Sequence, residues 1–313
     1  MKKLLSVIIP AYNEENLIEK TAYTISSLLK EADIKAEIIF VNDGSEDRTW
    51  ERICAEAGKD KYIRGISFSR NFGKESAMFA GVSYCKGDCA VIIDCDLQHP
   101  PEKIIEMYRL WEEGYEIVEA VKTDRGKESF LHMLSAKCFY GIISHVTHID
   151  MNRASDFKLL DRKAITVLLN IREKNAFFRA LSSWIGFKTI QVEFEVRERE
   201  DGESKWSTWS LIKYAISNVT SFSSAPMQIV TVLGVVMMFM AVIFGGISLY
   251  QKIMGTALGG FTTMILLQLF TGSVVMISLG IIGYYIAKIY EEIKGRPRFI
   301  ISEECGGKYE ENI

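Results

Sequence analysis

The sequence predicts a doubly wound α/β domain, followed by an interfacial helix and a two-helix transmembrane hairpin. Three observations carry that expectation. Short β-branched runs alternate with longer helical stretches through the first 120 residues. The turns that follow these runs are polar and acidic, as at Asn42-Asp43-Gly44-Ser45 and Asp94-Cys95-Asp96. Finally, residues 1–213 hold 65 charged residues, whereas the 74 residues from Tyr214 to Ala287 hold one, Lys252.

Taken in order, the strands expected are Leu4 to Pro10, Glu37 to Asn42, Tyr62 to Ser69, Cys89 to Asp94 and Glu116 to Val121. Continuous apolar runs such as SVIIP, EIIFV and AVIID suit a parallel sheet covered on both faces. Helical stretches lie between them, for example Glu14 to Leu29 and Pro101 to Glu113. Met1-Lys2-Lys3 before LLSVIIPA imitates a signal peptide. The apolar run is short, however, no small-x-small cleavage site follows, and Asn13-Glu14-Glu15 arrives at once, so a buried first strand is expected instead.

In doubly wound sheets ligands bind beyond the carboxyl ends of the strands. Those positions read Pro10-Ala11-Tyr12-Asn13-Glu14-Glu15, Asn42-Asp43-Gly44-Ser45 and Asp94-Cys95-Asp96-Leu97-Gln98. No GxGxxG or GxxxxGK[ST] occurs, so a dinucleotide Rossmann site and a P-loop both lack their phosphate cradle. Asp94 and Asp96, with Gln98 beyond, offer hard oxygen ligands for Mg²⁺ or Mn²⁺, ions able to bridge a diphosphate. By itself this spacing is equally that of an ordinary acidic turn.

The uncharged region contains two stretches long enough to cross a bilayer as helices, which takes roughly 20 residues. They are about 229–250 and 264–287, joined by the short link Gln251 to Thr263. Lys205 and Lys213 precede the first and Lys288, Lys294, Arg296 and Arg298 follow the second. The positive-inside rule therefore places both termini and the charged domain in the cytoplasm, as an integral membrane protein. Trp206 to Phe222 mixes aromatic, aliphatic and cationic residues suited to a headgroup layer. The organisation expected is a globular domain over 1–204, an interfacial helix over 205–226, the hairpin over 227–290 and a cytoplasmic tail over 291–313.

A net charge of −3 argues against a nucleic-acid binder, which normally shows a basic face or tail. The six cysteines form no CxxC pair, which argues against disulfides and against a zinc site. His145 and His148 are read as packing or surface residues. Gly245-Gly246 and Gly280-x-x-Gly283 would allow close helix approach, leaving self-association into a homo-oligomer open.

SVIIPAYNEE (Ser6 to Glu15), VNDGSEDRT (Val41 to Thr49), SRNFGKESA (Ser69 to Ala77) and DCDLQHPPE (Asp94 to Glu102) occur in that order on the expected elements. Together they closely resemble the family 2 glycosyltransferases, which implies a GT-A type domain binding a nucleotide-sugar. NRASDFKLLDR (Asn152 to Arg162) and REREDGESKW (Arg197 to Trp206), followed by the hairpin, are similar to the branch that glycosylates polyprenyl phosphates. Dolichyl-phosphate mannose synthases and bacterial undecaprenyl-phosphate glucosyltransferases belong to that branch.

The resemblance implies that Pro10, Ala11, Tyr12, Glu14 and Asp43 contact base and ribose, with Lys74 near the sugar nucleotide. It assigns Asp94, Asp96 and Gln98 to the metal and diphosphate, and Asp156 to the position of the catalytic carboxylate. Because a phosphate acceptor is largely ionised at neutral pH, Asp156 is expected to serve either in catalysis or in orienting the sugar. The chemistry agrees: Tyr12 can stack, and Glu14 and Asp43 can accept from base N–H or ribose hydroxyl groups. An anionic acceptor beside an anionic donor requires cations. Arg199, Ser204 and Lys205, in the RxxGxSK segment, are the first set, and Lys122 and Arg125 the second. The reaction expected is inverting, metal-dependent transfer of one sugar to undecaprenyl or dolichyl phosphate, with a UDP-hexose donor preferred. A processive synthase would resemble a pattern with QxxRW and more spans, whereas this chain has FFRALSSW (Phe177 to Trp184). A non-catalytic sugar-nucleotide-binding membrane partner is the remaining alternative.

Overall fold

Apolar β-branched runs become strands here because both faces of the sheet are covered. In the computed structural model, which describes residues 3–122, 155–171, 178–195, 225–255 and 260–306, β1 (Leu4–Ala11), β2 (Lys35–Asn42), β3 (Ile63–Phe68), β4 (Cys89–Ile92) and β5 (Ile117–Lys122) occupy the expected runs. Helices α1 (Ile18–Glu31), α2 (Thr49–Lys59), α3 (Lys74–Tyr84) and α4 (Lys103–Glu112) alternate with them. Along β1 the side chains alternate. Leu5, Val7 and Ile9 pack with Ile18, Ala22 and Ile25 of α1 and with Ile104 and Met107 of α4. Ile8 points the other way, against α3, where Gly81 has no room for a Cβ beside the Ile8 Cγ2.

The sheet has eight strands in the order β7-β5-β6-β4-β1-β2-β3-β8. β4, β1, β2 and β3 run parallel, as expected. Three strands extend this core beyond the sequence reading: β6 (Lys158–Asp161), β7 (Thr189–Phe194) and β8 (Ile301–Gly306). β6 is antiparallel to β4 and β5, and β8 is antiparallel to β3, so the sheet is mixed rather than wholly parallel. The physical reason is that β6 is only four residues long and β8, ISEECG, is a largely exposed edge strand. Such an edge is held by backbone pairing, which leaves little hydrophobic pattern to read. Two further helices, α5 (Arg162–Asn170) and α6 (Phe178–Trp184), complete the described part of this unit. β4 stops at Ile92, so Asp94 lies in the turn beyond the strand rather than at its last position.

The chain divides into two compact units, Met1–Trp206 with Pro297–Ile313, and Ser207–Arg296. The second contains α7 (Ala225–Ile253) and α8 (Phe261–Ile293), of 29 and 33 residues. Within them Met227–Ile253 and Leu267–Ile293 are long and apolar enough to cross a membrane. Both helices outrun the spans read from sequence, because polar and charged end residues such as Gln251, Lys288 and Glu291 continue the backbone hydrogen bonding after the apolar pattern has stopped. The expected link over 251–263 shortens accordingly.

The tail expected over 291–313 is also corrected: its first residues belong to α8, and Ile301–Gly306 is β8 of the first unit. Of the interfacial helix expected over 205–226, only Ala225 and Pro226 are described, and they open α7. His145, His148, Arg125, Arg199, Ser204 and Lys205 lie outside the described residues.

Candidate active site

Three loops at the carboxyl ends of the central strands are laced by side chain to backbone bonds. After β1, Asn13 adopts a left-handed backbone (φ 55), a region in which Asn is tolerated better than most residues. Its N–H donates to Ser45 Oγ at 2.9 Å, and its Oδ1 accepts from the Glu46 N–H at 3.0 Å. The Glu14 N–H donates to Thr49 Oγ1 at 2.8 Å. Asp43, at the end of β2, ties in the third loop by accepting from the Phe72 N–H at 2.7 Å and the Gly73 N–H at 2.9 Å. Burial pushes the Asp43 carboxyl above its ordinary value, opposed by those two N–H groups. Gly44 next to it needs a positive φ (65) and abuts the Arg70 backbone, so no Cβ fits there.

These loops enclose a cavity of about 280 Å³ lined by Pro10, Ala11, Tyr12, Glu14, Asp43, Lys74, Asp94 and Asp96, together with Asn71, Gly73, Ala77 and Cys95. The first eight are the residues nominated from the sequence. At the start of α3, the Lys74 Nζ reaches Asp94 Oδ1 at 2.6 Å and Asp156 Oδ2 at 3.2 Å. Asp156 also accepts from Arg179, whose Nη2 and Nε lie 3.0 and 3.2 Å from its Oδ1. Burial disfavours charge on Asp156, but Lys74 and Arg179 more than offset it and hold the carboxyl well below the usual range. For Lys74 the same balance runs the other way: desolvation lowers its pKa, and Asp94 and Asp156 together raise it above the ordinary value. The two carboxylates, the ammonium and the guanidinium thus form one connected array of ion pairs.

Gln98 follows the DxD turn, and its N–H donates to Asp96 Oδ1 at 3.1 Å. Lys122 is the last residue of β5, paired by backbone with Phe194 of β7. Of the nominated acceptor cations it alone falls among the described residues.

Sequence reasoning passed over Arg179 and Glu75. Arg179 is the lone cation of the FFRALSSW stretch, which was weighed only against QxxRW, and a single charge set in an otherwise uncharged run was the available signal. It is anchored by Lys158 of β6, a buried ammonium that donates to the Arg179 carbonyl at 3.2 Å and to Ser182 Oγ at 2.9 Å and pairs with Glu119 at 2.9 Å.

Glu75, beside Lys74, accepts from the Phe178 N–H at 2.8 Å. Burial, and then the Asp156 charge, push its carboxyl from 4.5 to about 7. A raised carboxyl pKa means that the folded state binds the proton more tightly than the unfolded chain does. Its contribution to stability is therefore full below pH 4.5 and is lost as pH rises through about 7. Glu75→Gln, which keeps the acceptor and removes the charge, is expected to narrow the loss of thermal stability between those two pH values. Identical pH profiles of unfolding for variant and wild type would contradict this.

The fit of a divalent cation rests on the donor set. Among the described residues no group of three or more His, Cys, Asp or Glu side chains converges. Two carboxylates and the Gln98 amide are what Mg²⁺ or Mn²⁺ uses when phosphate oxygens complete its shell. The residues therefore fit an ion that arrives with a diphosphate, not a self-sufficient metal centre.

The profile of "Glycosyl transferase family 2" matches residues 6–180. A Bacillus subtilis protein named "Uncharacterized glycosyltransferase YkcC" is 38% identical over 303 residues, covering 96% of this chain and 94% of that one. The Escherichia coli "Prophage bactoprenol glucosyl transferase homolog" is 36% identical over 300 residues, covering 95% of this chain and 98% of that one. The "Bactoprenol glucosyl transferase" of Shigella phage SfX is 35% identical with the same coverage. Glucosyl-3-phosphoglycerate synthase from Mycobacterium tuberculosis, solved with Mn²⁺, UDP-glucose and phosphoglyceric acid, matches with a TM-score of 0.47 and 20% identity, covering 70% of this chain and 79% of that one.

Proposed function

This chain belongs to glycosyl transferase family 2, and from that premise we propose that it transfers a single hexose from a UDP-sugar to a polyprenyl phosphate at the cytoplasmic face of a membrane. The observation that carries the reading is the convergence of Asp94, Asp156 and Lys74 beside a cavity of about 280 Å³, on a chain with two helices long and apolar enough to span a bilayer. Relatives named for bactoprenol glucosyl transfer, alike over nearly the whole chain, support the acceptor. The return of the chain to the first unit as β8 supports a hairpin that starts and ends on one side of the membrane.

Pro10, Ala11, Tyr12, Glu14 and Asp43 would hold the nucleoside in the cavity they line. Mg²⁺ or Mn²⁺, held by Asp94 and Asp96 with Gln98, would supply Lewis-acid neutralisation of the departing diphosphate. Lys74 contributes a fixed positive charge at the same place.

The acceptor phosphate, with a second pKa near 6, is largely ionised at neutral pH. One of its oxygens forms the bond to the anomeric carbon as the bond from that carbon to the diphosphate breaks, and the electron pair leaves with the nucleoside diphosphate. A single displacement of this kind inverts the anomeric centre and needs no proton removed from the nucleophile. Asp156, held well below the usual carboxylate range, is a poor base. Its role in this reading is to orient the sugar and to fix Lys74 and Arg179. Lys122, Arg125, Arg199, Ser204 and Lys205 would receive the acceptor phosphate.

The donor is tested by incubating membranes containing the protein with undecaprenyl phosphate and a panel of UDP-glucose, UDP-galactose, UDP-N-acetylglucosamine and GDP-mannose. Glycolipid formation from one UDP-hexose, abolished by chelation of divalent ions, is expected. Preference for GDP-mannose would overturn the donor assignment.

A further inference from the structure

The segment that follows the apolar hairpin lies against both walls of the site. Phe299 stacks on Phe68 at the end of β3, with ring centroids 5.2 Å apart and planes at 11°. Phe68 in turn meets Phe72 edge to face at 5.7 Å. The Ser69 N–H donates to the Ile300 carbonyl at 3.0 Å, closing the same loop by backbone. Phe72 and Gly73 are the residues whose N–H groups bind Asp43, and Gly73 immediately precedes Lys74. One residue earlier in the segment, the Arg298 guanidinium sits 4.0 Å from the ring centre of Phe79 in α3 and donates to the Ile171 carbonyl at 3.3 Å. Phe79 packs edge to face on Phe178 at 5.3 Å, and Phe178 N–H is the donor to Glu75. Residues 298–300 therefore touch α3 at Phe79, the end of β3 with Ser69, and the Ile171 carbonyl after α5, and they reach the start of α6 only through Phe79.

We propose that Arg298 and Phe299 are positioning residues for the donor site: they hold the Phe72-Gly73-Lys74 loop and α3 in register with Asp43. No residue of the segment lines the cavity. Their effect passes through Phe68 and Phe72 on one side and through Phe79 on the other. This gives the segment that leads into β8 a role beyond joining the apolar hairpin to the sheet edge. The inference rests on the proposed nucleotide-sugar reading of the cavity.

The physical case turns on which interactions the loop has without the segment. Apart from the segment, the Phe72 and Gly73 N–H groups bind Asp43, Ser76 Oγ donates to the Phe72 carbonyl at 2.9 Å, and Arg70 packs over the Phe72 ring at 4.2 Å on an exposed surface. Phe72 meets the buried Phe68 ring edge to face, and Phe299 stacks on that same ring. Removing the Phe299 ring frees Phe68 to rotate, and the Phe72 N–H then loses the fixed direction that Asp43 requires. An aromatic pair contributes about 0.5–1.5 kcal/mol beyond burial, which converts to roughly 2- to 13-fold in an equilibrium constant.

The test uses the full chain in membranes or detergent and compares Phe299→Ala, Phe299→Tyr and the exposed control Glu304→Gln. Two quantities are read: UDP affinity by direct binding in the presence of Mn²⁺, and donor KM and kcat for lipid glycosylation. Phe299→Ala is expected to weaken UDP binding and raise donor KM by about 3- to 10-fold with kcat within about twofold, because only ground-state positioning is lost. Phe299→Tyr, which keeps the stacked ring, should restore both values, and Glu304→Gln should match wild type. Unchanged UDP affinity in Phe299→Ala, or a loss confined to the yield of folded protein, would overturn the proposal. Absence of sugar transfer by the wild type would instead sink the functional reading, while the binding comparison would still judge the role of Phe299.

Discussion

Asp156→Asn is expected to lower kcat for lipid glycosylation by about 10²- to 10³-fold, the usual cost of removing one preorganised electrostatic group from an active site. The substitution keeps the shape of the side chain and removes its charge. Lys74 and Arg179, 3.2 and 3.0 Å away, then lose their shared counter-ion. Lys74 still has Asp94 at 2.6 Å, so it stays near the donor site while its angle to the sugar changes. Donor KM should therefore move much less than kcat. The pH profile separates the two roles open to this carboxylate. If Asp156 orients, the residual activity keeps the wild-type profile between about pH 6.5 and 9, since the acceptor phosphate is already ionised there. A defect that shrinks steadily as pH rises would instead assign it a base. Wild-type turnover in the variant would remove it from catalysis altogether.

The second large effect is expected at the proposed metal ligands. Asp96→Ala should lower activity by at least about 10²-fold, in line with the several kcal/mol of charge stabilisation that a bound divalent ion supplies to a departing phosphate. Raising Mn²⁺ should not restore it. Asp96 sits in a turn in which Leu97 adopts a left-handed backbone (φ 54), and its carboxylate accepts the Gln98 N–H. An accompanying thermal unfolding measurement distinguishes loss of the ion from loss of that turn: an unfolding midpoint close to wild type is expected. Full activity in Asp96→Ala would overturn the assignment of the ion to this turn.

The lining of the cavity was legible because its residues follow strands. Each of Tyr12, Asp43 and Asp94 comes at or just after a buried apolar run, and runs of that kind announce their own ends. All eight residues nominated for the nucleotide-sugar line one cavity. Arg179 and Glu75 were not legible for a related reason. They lie at the starts of helices whose long-range partners, Asp156 and the Phe178 N–H, are set by tertiary packing across 23 and 103 residues of sequence. No spacing rule reaches that far.

The sheet divides in the same way. Its parallel centre follows from hydrophobic runs, whereas β8 joins through backbone bonds to β3 and carries Ser302, Glu303 and Glu304 on an exposed edge. Hydropathy located the two long apolar helices but ended them early, because a helix is propagated by backbone hydrogen bonds and continues beyond the uncharged run through Lys288, Glu291 and Glu292.

The charge split along the chain acquires a physical meaning from this arrangement. A soluble, anionic donor needs the polar cavity of the first unit, and a strongly apolar acceptor needs the bilayer in which the second unit would lie. The measurement that tests this most directly is the mass and anomeric configuration of the lipid formed when purified protein, the preferred UDP-hexose and undecaprenyl phosphate are combined with Mg²⁺ or Mn²⁺. The account predicts one hexose joined through a phosphodiester to the polyprenyl chain, with the anomeric configuration opposite to that of the donor. A product carrying several sugars, a retained anomeric centre, or UDP release without any glycolipid would contradict it.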